Sequence, residues 1–183
     1  MGIKSIIGRI LVKLGLTKPF DYSSVEALRA RGVTIGENVH ILNTNIDFGH
    51  GFLVSIGNNV TLTGVHILAH DASTQIPLGV SKVGRVTIGD EVFVGVGTII
   101  LPNSRIGSRV IIGAGSVVSG TIPDNCVAAG NPARVICGYD EYVERHRKQM
   151  QTRPVYRTLW TEKTQEEKDR MRRELEDGIG YDL

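Results

Sequence analysis

An all-β fold, wound as a parallel β-helix, is predicted by three observations on residues 86–122. Every sixth residue from Ile88 is apolar and β-branched: Ile88, Val94, Ile100, Ile106, Ile112 and Val118. The residue after each is small in five of the six cases (Gly89, Gly95, Gly107, Gly113 and Ser119, with Leu101 the exception). Four positions on from each come Val92, Thr98, Ser104, Val110, Ser116 and Ile122, all small or β-branched. A period of six matches neither an amphipathic helix nor an alternating hairpin strand. It is the period of a coil in which each hexapeptide forms one flat face.

Packing at an axis explains the pattern. One side chain per face points inward, so it must be apolar and nearly constant in volume. Stacked strands set like residues above one another at about 4.8 Å. Small residues beside them permit a tight corner. Three faces close a coil, so residues eighteen apart are expected to stack. Such an array is stabilised from neighbour to neighbour and needs several coils with caps.

Taken in order, residues 1–32 form an N-terminal helical segment. Ile3, Ile6, Ile7, Ile10, Leu11 and Leu14 share one face of a helix over residues 3–16, with Lys4 and Lys13 near its edge. That face either packs on protein or makes a peripheral membrane contact. Residues 19–23 break the helix, and Ser24 caps a second, shorter one that Gly32 ends. The β-helix occupies residues 33–137. It opens on Ile35-Gly36, Val39 and Ile41, loses phase over residues 43–55, and resumes at Ile56-Gly57, Val60, Leu62 and Leu68. Residues 69–85 lack axial residues in phase and carry Pro77, Gly79 and Gly84, so they read as a loop leaving the prism. The remainder amounts to about four coils. Pro123 stops the strand run and Asn131-Pro132 marks a turn. Residues 138–183 form a C-terminal helical tail. A charged helix over 139–152 ends at Arg153-Pro154, and Thr164 with Glu167 starts another through a capping box.

Composition narrows the function. A formal net charge of +2 gives no basic face for nucleic acid. The 22 glycines and low aromatic content suit a turn-rich coil. Cys126 and Cys137 lack zinc or redox spacing and read as reduced thiols in a cytoplasmic protein. No stretch reaches the about 20 apolar residues of a transmembrane span.

His70 is the candidate catalytic residue. It sits where regular repeat gives way to loop, with Asp71, Ser73 and Thr74 beside it. A histidine of ordinary pKa, about 6.5, is available as a neutral base near neutrality. Its other ring nitrogen needs a partner to hold the tautomer, for which Asp71, Asp47 and a backbone carbonyl all remain open. Asn43, Asn45 and Asp47 lie in the phase slip, where solenoids tend to meet ligands. His40, His50, His66 and His70 raise a zinc reading, but their spacing does not form a recognisable three-histidine set.

The hexapeptide phase, the string Ile67-Leu-Ala-His-Asp-Ala-Ser73 and the Gly130-Asn-Pro-Ala-Arg134 turn resemble the left-handed β-helix hexapeptide acyltransferases over residues 33 to about 137. The string is similar to that in sugar O-acetyltransferases of capsule and lipopolysaccharide synthesis, and the chain also resembles the maltose and galactoside enzymes. The resemblance implies a left-handed coil, acetyl-CoA as co-substrate, a sugar or polysaccharide-precursor acceptor, no metal, and a homotrimer with sites between subunits. It implies that His70 is the general base and that the Val96 N–H stabilises the oxyanion. Phe93, Gly95, Gly97, Ala114 and Arg134 are placed along the CoA. Asn43, Asn45, Asp47 and Asp71 are placed toward the acceptor. The alternatives are N-acetylation of a nucleotide-linked amino sugar, a zinc enzyme like the carbonic anhydrases of this fold, or a non-enzymatic scaffold.

Overall fold

The computed structural model describes residues 24–183, so the helix expected over 3–16 and its membrane contact lie outside the described residues. Ser24 accepts a hydrogen bond from the Ala27 N–H and caps helix α1, Val25–Ala30. Its Leu28 is buried against the first coil, and Gly32, at φ +86°, turns the chain into it.

The coil is a three-sided left-handed β-helix. One face stacks β1 (Thr34–Ile35), β4 (Val54–Ile56), β9 (Val86–Ile88), β12 (Ser104–Ile106) and β15 (Thr121–Ile122). The second stacks β2 (His40–Leu42), β5 (Thr61–Thr63), β10 (Val92–Val94), β13 (Val110–Ile112) and β16 (Cys126–Ala129). The third stacks β3 (Asn45–Ile46), β6 (His66–Ile67), β11 (Ile99–Ile100) and β14 (Val117–Val118). Eighteen-residue stacking holds for Ile88 on Ile106, Val94 on Ile112 and Ile100 on Val118. The final coil is shorter: Ile106 meets Ile122 and Ile112 meets Ala128.

Three expectations are corrected. Two side chains per face point inward, not one. Val92 and Val94, Ser104 and Ile106, Val110 and Ile112 are all buried while Phe93 and Arg105 face out. A three-residue strand alternates, so both its ends share one face. The small or β-branched positions therefore fill the corners of the core. Second, the glycines after the axial residues do not make the bend. A Cβ on Gly57 would lie 2.6 Å from the Gly89 carbonyl oxygen, so stacking against the next coil excludes a side chain there. The bends are made by left-handed residues, as in the column Asn38, Asn59, Glu91, Arg109 and Asn125, where Asn tolerates positive φ best. Third, Ile67 and not Leu68 occupies the axis: Ile67 is fully buried and stacks on Ile100.

The phase slip contains a short 3-10 turn, Gly51–Leu53. The longer interruption leaves the prism through β7 (His70–Asp71) and returns through β8 (Lys82–Val83), which pair antiparallel. A short helix α2, Gln75–Leu78, forms its tip. At the far end β17 (Arg134–Gly138) folds back antiparallel on β16 after a cis Asn131–Pro132 bond. Helices α3 (Tyr139–Gln149) and α4 (Gln165–Glu174) follow, the second with the expected capping box between Thr164 and Glu167. Among the described residues no helix is long and apolar enough to cross a membrane.

Because Ile100 is fully buried between Ile67 and Val118, Ile100→Ala leaves a cavity the stacked strands cannot close. Urea unfolding is expected to show a loss of about 2–5 kcal/mol.

Candidate active site

The two interruptions of the repeat meet at one edge of the prism. Ile46 stacks on Ile67, so the residues that follow each strand, Asp47 and Leu68–His70, are neighbours although separated by more than twenty positions. Asp47 has no exposed side-chain surface. Its Oδ2 accepts from the Ala69 N–H, the His70 N–H (both 3.0 Å) and the His70 ring, whose Nδ1 is 2.5 Å away. Its Oδ1 accepts from the Gly49 and His50 N–H groups at 3.1 and 3.0 Å. Burial pushes the Asp47 carboxyl up, but the bonds from the His70 ring and from the His50 and Ala69 amides outweigh it and hold the pKa down at about 2. An ionised carboxylate only accepts, so His70 Nδ1 carries a proton, and in the neutral imidazole the lone pair is then on Nε2.

Asp47 therefore is the partner that the tautomer needs, and both alternatives left open by the sequence fall away. Asp71 is turned elsewhere. It pairs with Lys82 at 2.6 Å and accepts from the Ser73 N–H at 2.8 Å. The Lys82 ammonium, with the Ser73 bonds, lowers the Asp71 carboxyl to about 2. The placing of Asp47 toward the acceptor is corrected by its geometry: a side chain with both oxygens occupied by protein N–H groups has no face for a sugar.

His70 is half-buried and lines a cavity of about 800 Å³. Leu68, Leu101, Pro102 and Val83 supply its apolar wall, and Asp71, Lys82, Asn103 and Ser119 its polar one. The other candidates lie along different edges. Val96 and Ala114 are exposed at the corner that precedes the third face, whereas His70 follows that face. Gly97 is a left-handed corner residue at φ +75°, and a Cβ on Gly95 would meet the Ala114 N at 2.7 Å. Both are thus required by the backbone itself. Phe93 is half-exposed on the second face, and Arg134 is exposed at the start of β17. Asn43 is a left-handed corner, and Asn45 points outward on the third face. A single chain pairs His70 with Asp47 and sets Asp71 in the lining of the same cavity as His70, and does not bring Phe93, Val96, Ala114 or Arg134 to them.

Sequence reasoning missed the place of His50. Its ring lies against that of His70, centroids 4.8 Å apart and 34° between planes, and its Nδ1 is 3.5 Å from Asp47 Oδ1. Donor atoms of Asp47, His50 and His70 all lie within 4.8 Å of one another, which is a set able to hold a metal ion. The Asp47 oxygens are already taken by five N–H groups, an arrangement suited to aligning imidazoles. His40 and His66 point outward from the second and third faces and do not join the set. The only sequence signal for His50 was its place three residues after Asp47 in the phase slip.

Comparison with known proteins adds the following. Residues 85–120 match the family described as bacterial transferase hexapeptide (six repeats). Protein CapG of Staphylococcus aureus is 38% identical over 126 residues, covering 65% of this chain and 73% of that protein. Galactoside O-acetyltransferase of Escherichia coli is 37% identical over 114 residues, covering 55% of this chain and 54% of that protein. The crystal structure of a maltose O-acetyltransferase from Clostridium difficile superposes with a TM-score of 0.51 at 31% identity, over 73% of this chain and 84% of that one.

The low pKa of Asp47 has a measurable consequence. A folded-state value of about 2 against an ordinary 3.8 stabilises the fold above pH 3.8, and the contribution is lost as pH falls through 2. The stability difference between wild type and Asp47→Asn is expected to shrink by about 2 kcal/mol as unfolding is measured from above pH 5 down to pH 1–2.

Proposed function

Because the chain belongs to the hexapeptide-repeat transferase family, we propose that it moves an acetyl group from acetyl-CoA to a hydroxyl of a sugar or polysaccharide precursor. It is an acyltransferase. The observation that carries the finer reading is the Asp47–His70 pair, whose His70 lines the cavity.

Asp47 keeps the proton on His70 Nδ1, so Nε2 takes the proton of the acceptor hydroxyl as its oxygen attacks the thioester carbonyl. The C–O bond forms, the C–S bond breaks, and the imidazolium returns the proton to the departing thiolate. As positive charge develops on the ring, the ionised Asp47 stabilises it across a short hydrogen bond. The oxyanion falls to a backbone N–H, which needs no reorganisation when the charge appears. Val96 is our candidate for that donor. The apolar wall of Leu68, Leu101, Pro102 and Val83 suits the pantetheine arm of the donor.

The separation of candidates between two edges supports a homotrimer. His70 and the cavity come from one subunit, while Phe93, Val96, Gly95, Gly97, Ala114 and Arg134 of a neighbour complete the donor groove across the cleft. Asn43 and Asn45 would then meet the acceptor from the outside of the first coil, and Asp71 would act through the stem of the loop. The pair of unlinked thiols, Cys126 and Cys137, supports a cytoplasmic location.

A thiol-release assay with acetyl-CoA and a panel of pyranosides, amino sugars and nucleotide sugars tests the proposal. His70→Ala is expected to lower kcat by about 10²- to 10⁴-fold on whichever acceptor turns over. Undiminished turnover by that variant would remove His70 from the mechanism.

A further inference from the structure

We propose that His50 holds the acceptor hydroxyl adjacent to the one that His70 deprotonates, so that the enzyme selects acceptors presenting two neighbouring hydroxyls. The inference rests on the acyl-transfer reading above and goes beyond it by assigning a specificity residue and a substrate feature.

Asp47 faces two imidazoles, with Oδ2 against His70 Nδ1 and Oδ1 against His50 Nδ1. The His50 Nδ1 is buried and has no hydrogen-bond partner within bonding geometry; the Asp47 oxygen at 3.5 Å is the acidic group paired with it. A small rotation of the ring closes that contact, and hydrogen bonds of this kind commonly tighten only when substrate is bound. Facing a carboxylate, His50 adopts the same tautomer as His70, with the proton on Nδ1. In an imidazole Nε2 lies across the ring from the Nδ1 side. With both Nδ1 atoms turned to one buried group and the rings 4.8 Å apart at 34°, both Nε2 atoms are carried outward side by side. The side chains are 35% and 40% exposed, so this outer rim is where they are open to a ligand.

Two such acceptor atoms on neighbouring rings match two adjacent hydroxyls. One is deprotonated by His70 as it attacks, and the other donates to His50 and fixes the ring of the acceptor. The cavity is lined by His70 but not by His50. His50 is accordingly assigned to the acceptor, apart from the wall assigned to the pantetheine arm. Phe52, 64% exposed, continues the row, with its ring 6.0 Å from that of His50.

The test is a cycle between protein and substrate. Wild type and His50→Phe, which keeps an aromatic ring against His70, are assayed on the pyranoside of the panel that turns over fastest. Both are also assayed on its deoxy derivative lacking the hydroxyl beside the acetylated one. Either change alone is expected to lower kcat/KM about tenfold, and both together no further. Losses that multiply overturn the proposal, because His50 would then act on folding or on His70 alone. A second measurement needs no acceptor: nitrogen-15 NMR of the imidazoles is expected to show His50 and His70 both protonated at Nδ1 only. A His50 protonated at Nε2 overturns the inference whatever the kinetics, whereas a panel without turnover overturns the acyl-transfer reading.

Discussion

The carboxylate of Asp47 is the constraint on which the site depends. It is wholly enclosed, and five N–H groups from two segments of chain converge on it. A buried charge is tolerated only when its oxygens are satisfied. Here that requirement ties the turn after β3 to the exit of the loop after β6. The same bonds that offset the cost of burial also align the imidazole of His70. Removing one partner would leave the others exposed to an unpaired charge, so the arrangement behaves as a unit.

The regular coils give this unit its position. Ile46, Ile67, Ile100 and Val118 stack down one face, and each adds a layer that has nearly no freedom to shift. Close packing of this kind is stiff. Apart from the shortened final coil, the repeat is interrupted in two places, and the first pair of coils sets them one above the other. Loops carry chemistry best when a rigid scaffold holds their ends. The antiparallel pairing of His70–Asp71 with Lys82–Val83, reinforced by the Asp71–Lys82 ion pair, ties down the stem of the longer one. That ion pair is partly exposed, so its value lies in geometry more than in stability.

A three-sided prism also divides the site. Side chains at different corners cannot converge inside one chain, because the core between them is filled by Val94, Ile100 and Ile112. His70 with its cavity occupies one edge, and Val96 with Ala114 another. Closed three-fold assembly is the simplest arrangement that places one edge of each subunit against a different edge of the next. This is why the donor groove and the base are read as belonging to adjacent subunits.

The hexapeptide phase was legible because an axial residue must be apolar whatever lies beyond it. That local rule located Ile88 to Val118, the phase slip and the loop of residues 69–85, and a second local rule, the Thr164–Glu167 spacing, located the capping box. His70 stood out because it marks the boundary between rule and exception. What the sequence could not carry was distance between segments that break the rule. It placed Leu68 on the axis where Ile67 lies, because a five-residue step is invisible to a count of six. It left Asp47 open both as an acceptor ligand and as the partner of His70, and it considered His50 only as a zinc candidate, because a carboxylate in a turn looks the same whether it faces solvent or protein. The choice of Asp47 over Asp71 was made by the stacking of Ile46 on Ile67, a contact between residues more than twenty positions apart, and only the closed coil creates it.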